Sequence, residues 1–81
     1  METRVAVISI IVEDTEAVEK LNSLLHEYGE FIIGRMGIPY RQKGINIISV
    51  ALYAPSDTIN ALTGALGRIP GVSAKANYSK A

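Results

Sequence analysis

Hydrophobic and polar positions follow two periods along this chain, and each change of period marks an element. Residues 4–12 (RVAVISIIV) are β-branched or apolar on both alternating sets, the pattern of a central strand rather than a half-exposed one. Asp14 and Thr15 then offer a helix cap, Ala17, Val18, Leu21, Leu24, Leu25 and Tyr28 recur at helical spacing on one face, and Gly29 is a natural stop. Residues 30–36 (EFIIGRM) predict a second strand and residues 45–54 (INIISVALYA) a third, with Gly37, Pro39 and Gly44 shaping the hairpin loop between them. Pro55 halts ladder donation and Ser56 caps a second helix carrying Ile59, Leu62, Leu66 and Ile69. Pro70-Gly71 then turns the chain into a last strand, Val72 to Tyr78.

The predicted order is βαββαβ. With right-handed crossovers, two such strand-helix-strand units give an α+β, ferredoxin-like fold: a four-stranded antiparallel sheet with strands one and three central and both helices on one face. A single domain over residues 1–81 is expected. The other sheet face then has nothing from the chain to cover it, yet the positions that fall there are apolar: Val5, Val7 and Ile11 from the first strand, Ile45, Ile47 and Tyr53 from the third. A patch of that size marks an interface, so these six residues are the candidate assembly surface of a homo-oligomer, a dimer or tetramer.

Composition sharpens this. An 81-residue domain buries only about 60–65% of its unfolded surface. With no cysteine the chain has neither disulfide nor thiolate-held zinc to add, and oligomerisation is the remaining reinforcement. Eight basic and eight acidic residues cancel, so no overall field draws the protein to nucleic acid or anionic lipid. The run Val5 to Val12 is too short to span a bilayer and ends in Glu13-Asp14, not in a small-residue cleavage site; the expectation is a cytoplasmic protein with no membrane partner.

Candidate chemistry is sparse. His26, the one histidine, falls with Glu19, Asn22 and Ser23 on the polar side of its helix and reads as a solvated residue. No second His or Cys can complete a metal site or a catalytic triad, and Glu13-Asp14 is explained by the helix start it precedes, so no catalytic residue, metal or cofactor is expected. RNA-recognition modules of this fold stack bases on aromatics of the central strands, and the first strand here has none. The remaining candidate lies in the basic hairpin: Arg35, Tyr40, Arg41 and Lys43 as an anion-binding ligand site, against the plain reading that the glycines and proline there only shape a turn.

GRMGIPYRQKGINIISV, followed by ALTGALGRIPGVSAKANYSK, resembles the small regulators associated with iron-only hydrogenase systems, and the resemblance covers nearly the whole chain. More distantly, the architecture and the Ile69-Pro70-Gly71-Val72 approach to the last strand are similar to ACT-like regulatory domains and to the C-terminal domain of nickel-responsive repressors. The resemblance implies a regulatory, effector-sensing oligomer that is not an enzyme and that acts in a hydrogenase or transcription context. ACT domains often bind amino acids near a glycine after the first strand, where this chain has Glu13-Asp14-Thr15, and the repressors' several nickel-binding His and Cys are reduced here to His26. The alternative is an interaction module without a small ligand, docking a hydrogenase-maturation or transcription protein through its sheet face or edge.

Overall fold

The computed structural model describes residues 2–80. Strand β1 (Thr3–Val12) leads through a 3-10 turn (Thr15–Ala17) into helix α1 (Val18–Glu27), and a second 3-10 turn (Gly29–Phe31) leads into β2 (Ile32–Tyr40). Then come β3 (Ile45–Pro55), helix α2 (Ser56–Gly67) and β4 (Val72–Tyr78). The sheet order is β2-β3-β1-β4 and every pairing is antiparallel. This is the ferredoxin-like α+β arrangement that the periodicity predicts, with β1 and β3 central.

The even-numbered residues of β1 and β3 make one side of the core. Ala6, Ile8, Ile10 and Val12 pair with Leu52, Val50, Ile48 and Asn46 across the ladder. Leu21 and Leu25 of α1 and Ile59, Leu62 and Leu66 of α2 close over them in one buried cluster. Each fully buried Ile or Leu is worth about 1.5–3 kcal/mol relative to exposure, so this single layer between sheet and helices carries the stability of the fold. Both helices are amphipathic and deliver their apolar stripes to the same sheet face.

Local chemistry fixes the element ends, and at the start of α2 it departs from the sequence reading. Asp14 does cap: its Oδ1 accepts the Glu16 N–H at 3.0 Å, though the first turn is 3-10 and α1 proper begins at Val18. Ser56 does not cap α2. It is the first helical residue, after the extended Pro55, and its N–H donates to the Glu2 carbonyl at 3.3 Å, tying the helix start to the strand beside it. Helix α1 does stop at Gly29, without a left-handed turn there: Tyr28 closes the helix and Gly29 opens a 3-10 turn.

The largest departure is β2, which starts at Ile32 rather than Glu30 and runs on to Tyr40 rather than Met36. Gly37 and Pro39 lie inside the strand. Proline is tolerated because β2 is an edge strand, where the missing N–H need not serve a second neighbour. The hairpin turn shrinks to residues 41–44, where Gly44 supplies φ +68°. A register shift between Ile32 and Gly34 leaves Ile33 as a bulge at the start of this edge, a device that blunts unwanted strand pairing.

At the opposite end of the sheet Gly71 has φ +82°, and a Cβ there would lie 2.5 Å from the Asp14 Cβ. Its carbonyl accepts the Glu13 N–H at 2.7 Å. A glycine is needed on both counts, so the end of β1 and the start of β4 are locked together through one residue.

Candidate functional site

The odd-numbered residues of β1 and β3 face away from both helices, and the ladder register aligns them in rows. Tyr53 sits opposite Val5, Ala51 opposite Val7, Ser49 opposite Ser9 and Ile47 opposite Ile11. All six predicted interface residues, Val5, Val7, Ile11, Ile45, Ile47 and Tyr53, therefore share this uncovered face. Val5, Ile11 and Ile47 remain 42–43% exposed and Tyr53 55%. Sequence reasoning missed three more. Met36, Ile38 and Tyr40 pair with Ser49, Ile47 and Ile45, so β2 extends the apolar surface to the sheet edge. The signal was their period-two spacing, obscured by Gly37 and Pro39 between them.

The face is uneven in a systematic way. Ile38, Ile47 and Ile11 make one bulky row across three strands. The next rows hold Met36, Ser49 and Ser9, then Gly34, Ala51 and Val7, and the small Gly34, Ser49 and Ala51 leave a hollow of about 250 Å³ lined by Gly34, Arg35, Met36, Ser49 and Ala51. Along β4 the same face turns polar, with Ser73, Lys75 and Asn77 opposite Ile11, Ser9 and Val7. The apolar surface thus spans β2, β3 and β1 and stops at β4.

The four predicted ligand residues are not brought together. Arg35 pairs with Val50 and so lies on the helix side of β2, whereas Tyr40 pairs with Ile45 on the uncovered face. Arg41 and Lys43 occupy the hairpin turn. Arg35 instead reaches across to α1, where its Nη2 donates to Asn22 Oδ1 at 3.0 Å. That bridge crosses a groove between α1 and β2. One side of it is a cavity of about 300 Å³ whose lining includes Leu25, His26 and Ile32; the other is one of about 230 Å³ whose lining includes Val18, Asn46 and Ile48.

His26 is exposed, as its place on the polar side of α1 predicts. Among the described residues no group of three or more His, Cys, Asp or Glu side chains is arranged to hold a metal ion. Among the same residues no helix is long and apolar enough to cross a membrane.

Comparison with known proteins adds to this geometry. The TM1266-like family model, described as "Iron-only hydrogenase system regulator, putative", matches residues 4–76. The uncharacterized protein TM1266 from Thermotoga maritima is similar at 39% identity, with 98% of this chain and 100% of that one covered and a TM-score of 0.93. The ACT domain of GTP pyrophosphokinase from Chlorobium tepidum shares the fold at 17% identity and a TM-score of 0.74, over 94% of this chain and 100% of that one. So does the C-terminal domain of the MgtC protein from Mycobacterium tuberculosis, at 12% identity and a TM-score of 0.76, over 95% and 88%. No curated protein matches the chain.

Proposed function

Because the chain belongs to the TM1266-like family of iron-only hydrogenase system regulators, we propose that it is a non-catalytic regulatory protein. On this reading it works as a homo-oligomer, senses a small effector and passes the signal to a hydrogenase-maturation or transcription component in the cytoplasm. The ACT-like fold supports a regulatory part, and a chain without cysteine suits a reducing compartment.

The observation that carries the reading is the uncovered sheet face. A row of three isoleucines beside a hollow floored by Gly34, Ser49 and Ala51 suits a two-fold interface, in which one patch offers each copy both a ridge and a hollow. Among the described residues the aligned rows of this face hold a single charged side chain, Lys75, at the β4 margin, so a second copy can pack over β1, β2 and β3 without burying a charge.

The test is native mass, by light scattering or native mass spectrometry, on the unmodified chain and on Ile47→Lys. The unmodified chain should be a dimer or tetramer. The variant should be a folded monomer by circular dichroism, because a lysine in the middle of the ridge would be left unpaired in the interface. A monomeric unmodified chain at micromolar concentration defeats the homo-oligomer and leaves the face to a different protein.

A further inference from the structure

We propose that the groove between α1 and β2 binds a small organic monocarboxylate, with the Arg35 guanidinium as its anchor. The inference rests on the effector-sensing part of the function proposed above, and names the site and the ligand class.

Three observations converge on it. First, the charge in this groove is unbalanced. The valley between α1 and α2 is lined by Glu19 and Glu27 with Lys20, and the hollow at the start of α1 by Asp14 and Glu16 with Lys20, so cation and carboxylates sit together in both. Neither cavity of the α1–β2 groove has an acidic residue in its lining, yet both include Arg35. The guanidinium carries five N–H donors in a fork, and its contact with Asn22 Oδ1 engages one nitrogen. The remaining donors match a carboxylate in a two-point contact.

Second, the groove is held open by glycines that the backbone does not require. Gly29 and Gly37 both have ordinary negative φ, unlike Gly44 and Gly71. A Cβ at Gly29 would meet nothing within 4 Å, and one at Gly37 would meet only Ile48 Cγ1, at 3.8 Å. Glycine at both positions leaves the groove unfilled beside Arg35.

Third, the apolar walls set the ligand's size. Leu25 and Ile32 flank one side of the Arg35 bridge, Val18 and Ile48 the other, in cavities of about 300 and 230 Å³. Sites for drug-sized ligands run from roughly 300 to 1,000 Å³, so the hydrocarbon part is a branched alkyl group or a single ring. Arg35 is the one permanent cation among the lining residues, beside the amides of Asn22 and Asn46 and the His26 ring, and its single two-point fork fits the two oxygens of a monocarboxylate.

The site also has a route to the assembly surface. Arg35 alternates along β2 with Met36, and Gly37 with Ile38, whose side chains lie on the opposite, uncovered face. A ligand that fixes Arg35 therefore acts on the strand that carries the edge of that surface.

The experiment is an NMR titration of the intact protein with isovalerate and with benzoate, alongside isovaleramide and inorganic phosphate. The carboxylates should give saturable shifts at residues 22, 26, 35 and 37, and isovaleramide should give none. Arg35→Gln should weaken binding roughly tenfold or more, Arg35→Lys should recover part of the loss, and Gly37→Leu should close the groove with the fold retained. Absence of saturable shifts with either carboxylate, equal binding of the amide, saturation by phosphate alone, or indifference to Arg35→Gln each overturns the proposal. Native mass measured on the same samples tells this failure from failure of the oligomer reading, since a protein that assembles but ignores carboxylates loses only the site.

Discussion

The two faces of this sheet are built from sequence sets that look almost alike. On β1 the covered set is Ala6, Ile8, Ile10 and Val12, and the uncovered set is Val5, Val7, Ser9 and Ile11. Ile8 and Ile10 are fully buried, whereas Val7 and Ile11 stay 36% and 42% exposed. Hydrophobicity alone does not distinguish a surface buried by the chain's own helices from one the chain leaves uncovered. The difference lies in what fills the relief. On the covered face Ala6 and Ala54 and the larger Ile, Leu and Val side chains are all buried in one cluster with residues of both helices, while on the uncovered face the bulky row and the small-residue hollow stay open.

Substitutions at matched positions can break or sharpen that comparison. The largest effect belongs to Ile10→Lys, which puts an unpaired charge inside the core and should abolish folding, seen as loss of the cooperative transition by circular dichroism. Ile8→Ala should cost about 2–5 kcal/mol in a urea titration, and the cost should not vary with protein concentration, because the core around Ile8 belongs entirely to its own chain. On the proposed assembly, Ile11→Ala, one face over, should cost about 1 kcal/mol per copy, with a loss that grows as the protein is concentrated, since a second copy would supply the remaining burial. If Ile8→Ala and Ile11→Ala respond identically to concentration, the two faces do not differ in what covers them. Asp14→Ala, away from both faces, is the control: about 0.5–1 kcal/mol from the lost cap, with native mass unchanged.

Most of the fold was legible because β1, β3 and the two helices are long, strongly patterned and paired on both sides or packed on one. β2 was legible only in part. An edge strand needs only one ladder, so it can hold Gly34, Gly37 and Pro39, residues that read locally as a loop. That error propagated to the site. With β2 ended at Met36, Arg35, Tyr40, Arg41 and Lys43 look like one basic tip, whereas in the strand Arg35 and Tyr40 point to opposite faces. The Arg35–Asn22 contact joins residues 13 positions apart through a helix-to-strand crossing, and spacing along the chain does not reveal it. The interface positions of β1 and β3, by contrast, follow from alternation once the helices are assigned to one side.

The central place of β1 has a consequence for how the chain is made. Its two ladder neighbours are β3, which begins at Ile45, and β4, which begins at Val72, so the first strand to be synthesised pairs only with segments that come much later. At about 5–20 residues per second, its apolar ladder waits seconds on the ribosome while α1 and the β2–β3 hairpin, whose contacts are local, can already form. The Glu13–Gly71 hydrogen bond joins the end of β1 to the turn before β4, and it closes only after α1, β2, β3 and α2 have been made. Completion of the four-stranded sheet therefore waits on β4, although β1 already has a partner once β3 has been made.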